Sequence, residues 1–269
     1  MVARLAPEEG FLRLVIDTDR HELVCEADGR TESLDLYSRQ AFERVAREYV
    51  RLGWNQKYSY TFSWLGRPII QLPDDMVRMQ EVLFGVAPDV LVETGVAHGG
   101  SLVFYASLFC ALGKGRVVGV DIEIRPHNRR AIEAHPLSSR IELVEGSSTA
   151  PAVVERVAAS IAPGERVMVV LDSSHTKRHV LDECEAYAPL VSAGSYLVVT
   201  DGLMRDVADT PRGRAEWRDD NPAAAAEAFA RAHPEFVLEA PRWSFNESEL
   251  DESLAVTHWP SAWLRREAA

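Results

Sequence analysis

Four acidic residues, Glu93, Asp121, Asp172 and Asp201, end or nearly end short aliphatic runs: "VLVE", "RVVGVDI", "RVMVVLD" and "SYLVVTD". A carboxylate so placed can hold a cation, accept hydrogen bonds from hydroxyls, or cap the helix that follows. Taken singly, each is as readily a cap as a ligand. His175 follows Asp172 by three residues in "LDSSHT". An imidazole, with an ordinary pKa of about 6.5, can take up a proton at neutral pH. The stretch "VETGVAHGGS" (92–101) places Glu93 two residues before Gly95 and continues through His98, Gly99, Gly100 and Ser101. Backbone that bare bends tightly and lets a ligand approach main-chain amides.

The elements that position these residues can be read from the pattern. From residue 88 onward, aliphatic runs at 90–93, 116–122, 141–146, 166–172 and 195–201 alternate with helical stretches near 101–112, 126–135, 151–160 and 177–190. Short β-branched runs separated by helices indicate a parallel sheet covered on both faces. A helix over 222–232 and two last runs, "PEFVLEA" and "SLAVTHW", add a closing strand pair. The expectation is an α/β, doubly wound, mostly parallel seven-stranded sheet of Rossmann-like form. In such a sheet, ligands sit outside the carboxyl ends of the strands. Four acids along that one edge describe a site.

Ahead of the sheet, residues 11–37 alternate around the turn signal "EADGR" and predict a hairpin. Phe42, Val45, Tyr49 and Leu52 recur at helical spacing over 39–52, with Ser38 as N-cap. The aromatic segment "GWNQKYSYTFSWLGRPIIQLP" then leads to a helix opened by Pro73. The chain therefore divides into an extension and capping segment, 1–72, and a ligand-binding domain, 73–269.

Composition excludes several classes. A net charge of −12 argues against a nucleic-acid partner. No apolar run is long enough for a membrane span. Cys25, Cys110 and Cys184 are scattered without pairing, which suits reduced thiols in the cytoplasm.

The glycine stretch departs from the G-x-G-x-x-G of dinucleotide sites, because an acid precedes its first glycine. Glu93 would repel a pyrophosphate but suits an ammonium. The amino-acid end of S-adenosylmethionine (SAM) carries one, and its carboxylate can use the helix-end amides near Gly99 to Ser101. Asp121, with Ile122 beside it, is placed for the ribose hydroxyls, and "EGSS" with Gly146 and Ser147 for the adenine. Asp172 closes the cofactor side of the crevice.

The stretches "KYSYTFSWLGRPIIQLP", "VETGVAHGGS", "GVDIEIRPHNR", "VEGSS", "VVLDSSHT" and "NPAAAAEAFARAHPEF…LAVTHWPSAWLRR" resemble the cephalosporin hydroxylase family, from about residue 34 to the C-terminus. Despite its name, that family consists largely of SAM-dependent O-methyltransferases, including enzymes of deoxysugars such as rhamnose and of the cephamycin pathway. The resemblance implies the class I methyltransferase fold, a homo-oligomer, and a hydroxylated small-molecule acceptor. A sugar or nucleotide sugar is favoured, and an antibiotic hydroxyl of the cephalosporin 7-hydroxyl type is the nearest alternative.

Asp172 and Asp201 supply two hard carboxylates to one crevice, a donor set that suits Mg2+. The resemblance implies the same metal role for both. Antibiotic-pathway relatives carry an acid just before the second aspartate, where this chain has Thr200, and catechol-type enzymes an asparagine just after it, where it has Gly202. The third ligand is thus left to water or to substrate hydroxyls. Catechol-type enzymes place a lysine at the offset of His175, which makes His175 the candidate general base. Its bland reading is a cap or supporting residue at the start of the next helix. His98 stays open between cofactor contact and loop packing. Tyr58, Tyr60, Trp64 and Arg67 are candidates for the acceptor, by stacking on a sugar face or, for Arg67, by meeting a phosphate. Packing on the sheet or on a second subunit is their bland reading.

Other classes fit less well. A true hydroxylase needs two histidines and one carboxylate around iron, and no such pair of histidines is evident. A nicotinamide oxidoreductase needs the glycine spacing that is missing. A non-catalytic SAM-binding partner subunit is left open by Thr200.

Overall fold

The computed structural model describes residues 12–27, 29–248, 250, 251, 254 and 256–268. Three antiparallel strands come first: β1 (Leu12–Asp17), β2 (Glu22–Ala27) and β3 (Arg30–Asp35). The expected hairpin is β2–β3, and β1 extends it to a three-stranded sheet. Phe11 and the turn residue Asp28 lie outside the described residues. Helix α1 (Arg39–Asn55) is capped as expected, Ser38 Oγ accepting from Ala41 N. Of its apolar stripe, however, only Val45 packs on a core, beside Leu23, Cys25 and Leu34. Ala41 and Val50 are buried, whereas Phe42, Tyr49 and Leu52 are 44%, 48% and 63% exposed.

A short hairpin, β4 (Phe62–Trp64) and β5 (Arg67–Ile69), and helix α2 (Pro73–Val86) lead into the main sheet. Its strands are β6 (Val90–Thr94), β7 (Arg116–Asp121), β8 (Ile141–Glu145), β9 (Val167–Leu171), β10 (Tyr196–Val199), β11 (Phe236–Leu238) and β12 (Trp263–Arg266). The helices between them are α3 (Gly100–Leu112), α4 (Pro126–Glu133), α5 (Pro151–Ala159), α6 (Lys177–Tyr187) and α7 (Pro222–Ala232). The strand order is β11-β12-β10-β9-β6-β7-β8, parallel except for β12. This is the seven-stranded, mostly parallel sheet with an N-terminal hairpin and helix that the pattern predicts.

One strand is elsewhere than expected. Ser253 and Ala255 of "SLAVTHW" lie outside the described residues, and none of its remaining residues is in a strand. The antiparallel strand is "WLRR" instead. It buries Trp263 and Leu264, while Arg265 pairs with Glu239 and Glu267, so a run that reads as solvated charge seals the sheet.

Alternation along the strands separates two cores. Leu91, Val117, Met168, Val170 and Val198 face α2 and α3, together with Met79, Leu83, Tyr105 and Phe109. Val90, Val92, Val118, Val169 and Leu171 face the other way, with Val157, Val180, Cys184 and Phe229 of α5, α6 and α7. The chain runs from β6 outward to β7 and β8, then returns to the opposite side of β6 as β9. That reversal opens a crevice at the carboxyl ends of β6 and β9, where doubly wound sheets bind ligands.

Candidate active site

A cavity of about 190 Å3 occupies the crevice, lined by Gly95 to His98, Gly100, Ser101, Asp172, Ser173, His175 and Asp201. Tyr60 and the segment Pro68–Gln71 close its near wall. The two central strands end almost in contact, Asp172 N donating to Thr94 O at 2.9 Å. A Cβ on Gly95, which has φ +93°, would stand 2.0 Å from Asp172 O. Gly100 is equally tight, since its Cβ would meet Pro68 O at 2.1 Å. Glycine is required at both because backbone packs on backbone there.

Asp172, His175 and Asp201 come together: one ligand atom from each lies within 4.8 Å of the others. His175 Nε2 is 3.5 Å from Asp201 Oδ2. The residue that caps α6 is Thr176, whose Oγ1 accepts from His179 N, so His175 is not needed as the cap. Thr200 Oγ1 lies 2.7 Å from Asp172 Oδ1 and 3.0 Å from Leu171 O, so it braces the first aspartate. The Asp172 carboxyl is enclosed by protein atoms, although the residue keeps some exposure at the cavity. Enclosure first, and then the charge of Asp201, push its pKa up to about 7, against smaller opposing effects of His175 and Thr200. Two carboxylates this close conflict unless a proton or a cation stands between them. The cluster has one histidine and two carboxylates, the reverse of the iron-hydroxylase set.

Glu93 lies behind the cavity wall. Alternation puts it on the α3 face with Leu91, where it is fully buried and its Oε2 accepts from Ser101 Oγ at 2.6 Å. Its pKa stands well above the carboxylate range, through burial and then the charge of Asp172. Glu93 Oε1, Tyr105 OH and both side-chain polar atoms of Gln71 are buried without a hydrogen-bond partner. Tyr105 lies within electrostatic reach of Glu93, yet outside hydrogen-bond geometry. Orphaned polar atoms are rare and costly in a core. Sequence reasoning missed Gln71 and Tyr105; the only signal was a glutamine in the apolar run "PIIQLP".

Asp121 Oδ2 accepts from Val96 N at 2.8 Å and Ala97 N at 3.3 Å, and Oδ1 from Glu123 N at 3.1 Å. It therefore braces the glycine loop, whatever else it binds. Ile122 beside it is 75% exposed. Gly146 N donates to Asp121 O at 2.9 Å, which brings Gly146 and Ser147 to the same end of the crevice. Next to them Ser148, Ser173, His179 and Glu183 form a polar group, with Ser173 Oγ donating to Glu183 at 2.7 Å.

The aromatic segment divides. Tyr60 lines the cavity, and burial with the fields of Asp201 and Asp172 raises its pKa. Tyr58 packs edge-on against Tyr49 and Phe62, and Trp64 donates to Ser107 Oγ at 3.0 Å and packs on Phe104. Arg67 is occupied with His98 O at 2.9 Å and Asn128 Oδ1 at 3.0 Å. It ties β5 to the glycine loop and α4. Among the described residues, no helix is long and apolar enough to cross a membrane.

The rhamnosyl O-methyltransferase/CmcI family model matches residues 56–267. The chain belongs to that family. A rhamnosyl O-methyltransferase of Mycobacterium leprae is 30% identical over 195 residues, 71% of this chain and 80% of the relative. A solved CmcI apo-structure shares the fold at a TM-score of 0.52, with 18% identity and 78% of each chain covered. A second CmcI structure, with Mg and SAM, gives 0.50 at 17% identity and 78% of each chain. Family membership supports the SAM-dependent O-methyltransferase class read from the motifs.

Proposed function

We propose that the chain is a Mg2+-dependent enzyme that moves the methyl group of SAM to a hydroxyl of a rhamnose-type deoxysugar in natural-product biosynthesis. The observation that carries this reading is the convergence of Asp172, His175 and Asp201 beside the Gly95–Ser101 turn, at the reversal point of the sheet. The relatives named rhamnosyl O-methyltransferase and the CmcI structure with Mg and SAM support it.

The residues fit both groups. A divalent cation held by Asp172 and Asp201 would offset both the enclosure and the Asp201 charge that together raise the Asp172 pKa. An ammonium at the cavity wall would give the unpartnered Glu93 Oε1 and Gln71 Oε1 a donor, with Ser101 alongside. Gly95, His98 and Gly100 would give the close wall, with Gly99 in the turn between them, and Asp121, Ile122, Gly146 and Ser147 would give the nucleoside end. SAM supplies an electrophilic methyl group, and Mg2+ makes an acceptor hydroxyl more acidic.

Transfer of that methyl group to the acceptor oxygen would break the carbon–sulfur bond and leave its electrons on sulfur, and the chain's part is to remove the hydroxyl proton. His175 takes the hydroxyl proton at Nε2, and the neighbouring Asp201 carboxylate stabilises the imidazolium. Tyr60 faces the cluster across the cavity and is the aromatic residue placed to touch the acceptor. The exposed Phe42, Tyr49 and Leu52 of α1 support a homo-oligomer. Labelled SAM with rhamnosylated acceptors, after chelation and again with Mg2+ restored, tests the assignment. Methylation of a sugar hydroxyl only with Mg2+ is expected. Full transfer in chelated enzyme would refute the metal role, and transfer confined to non-sugar hydroxyls the acceptor.

A further inference from the structure

Asp201 holds an uncommon backbone conformation for a residue with a side chain: φ is 56° and ψ 26°, in the left-handed region. Such conformations persist where the surroundings over-determine them. The next residue shows what does so. A Cβ on Gly202 would stand 2.1 Å from Pro260 O, so the turn after Asp201 is pressed against the segment 257–261. Leu203 N donates to His258 O at 3.1 Å, and Met204 N closes the turn on Asp201 O at 3.1 Å. Whatever fixes the 257–261 strap fixes the Asp201 turn.

The strap is anchored by a buried carboxylate. Asp75, in the first turn of α2, is 2% exposed. Its Oδ1 accepts from Thr257 Oγ1, and its Oδ2 accepts from His258 N at 2.8 Å. Thr257 Oγ1 also accepts from Trp259 N at 2.8 Å, so one hydroxyl links the carboxylate to the strap's own bend. The His258 ring packs edge-on against Trp54 of α1, with centroids 5.3 Å apart. At the far end, Ser261 Oγ donates to Glu227 of α7 at 3.3 Å.

We propose that Asp75 is a positioning residue for Asp201: through Thr257 and His258 it holds the strap that keeps the Asp201 turn left-handed and its carboxylate directed at Asp172 and His175. The route runs from α2, which precedes the sheet, to the end of β10, and every link is a contact given above. Loss of the clasp frees the strap from α2. Asp201 then relaxes toward an ordinary turn, and its carboxylate no longer converges with Asp172 and His175. The inference rests on the metal reading of the cluster, and the test separates the two.

The decisive pair is Thr257→Val, which keeps shape and loses the hydroxyl, and Thr257→Ser, which keeps it. Mn2+ alone is the probe, its binding followed by electron paramagnetic resonance, with SAM affinity measured by calorimetry on the same samples. Thr257→Val should bind Mn2+ at least about tenfold more weakly, as supporting-residue losses generally do. Thr257→Ser should bind it as wild type, and SAM affinity should be unchanged in both. Asp75→Asn should behave as Thr257→Val. Unchanged Mn2+ affinity in Thr257→Val would overturn the proposal, as would a parallel fall in SAM affinity, which signals general loosening. If wild type binds no Mn2+, the metal reading fails and a crystal structure of Thr257→Val decides. Asp201 leaving positive φ upholds the positioning role, and Asp201 staying there overturns it.

Discussion

Magnesium affinity should fall about tenfold when the pH is lowered from 8 to 6. A metal ligand must be deprotonated to bind, so affinity follows the ionised fraction of the weakest acid in the set. That acid is Asp172, pushed up to about 7 by its enclosure and by the charge of Asp201. A group titrating there is roughly nine-tenths ionised at pH 8 and one-tenth at pH 6, which gives the tenfold ratio. Binding at pH 7 should then release about half a proton per ion. The same shift has a sign for folding. An acid whose folded pKa lies above its unfolded value stabilises the fold fully below the unfolded value, and that contribution is lost as pH rises through about 7. Metal-free protein should therefore lose this contribution between pH 4 and 7, whereas saturating Mg2+ should reverse the trend at Asp172. Calorimetric titrations in buffers of different ionisation enthalpy, at pH 6, 7 and 8, count the protons and give the affinities. Equal affinity at pH 6 and 8 with no proton release would refute the reasoning, because Asp172 would then be ionised beside Asp201 without a cation.

His175→Ala should lower kcat by about 10²- to 10⁴-fold with SAM affinity nearly unchanged; a variant within a few-fold of wild type in steady-state assays would remove the base role. Gly95→Ala should destabilise by on the order of 3 kcal/mol, since a Cβ at φ +93° would overlap Asp172 O at 2.0 Å and rigid backbone cannot yield. Urea unfolding measures it, and a change below about 1 kcal/mol would show that the β6 and β9 ends can part. Arg67→Ala should cost about 1–3 kcal/mol by leaving His98 O and Asn128 Oδ1 without their partner, with acceptor KM little changed. A selective rise in KM for a nucleotide-sugar acceptor, at unaltered stability, would return Arg67 to the substrate.

The main sheet was legible because its strands are short aliphatic runs that a helix-length stretch separates each time, and only a covered parallel sheet buries such runs on both faces. Legibility fell where pattern and burial part company. Helix α1 shows a clean apolar stripe, yet its buried residues Ala41 and Val50 lie on opposite sides of the helix, because one packs on the N-terminal sheet and the other on Leu203 and Val207. Strand β12 reads as charge at its end, but Arg265 is neutralised by Glu239 and Glu267, which the sequence places 26 residues before it and two after. "SLAVTHW" has the better strand composition. Composition lost to the hydrogen bonds that β10 and β11 offer on either side of Trp263–Arg266.

The candidate site divides along the same line. Asp172, Asp201 and His175 could be placed together because adjacent parallel strands in register must present their ends side by side. Nothing comparable marks Asp75 or Gln71. Asp75 looks like one of the acids that favour a helix N-terminus, beside Asp74, and its partners lie more than 180 residues away. Gln71 looks like a polar break in an apolar run, yet it is buried two residues after β5, at the cavity wall. The strand-end positions follow from local periodicity plus one topological rule. The residues that hold them in place follow from contacts between segments with no local relation. For this chain the consequence is specific: Thr200, read from sequence as a missing metal ligand, instead lies 2.7 Å from Asp172 Oδ1. The position that lacks a third carboxylate fixes the orientation of the first.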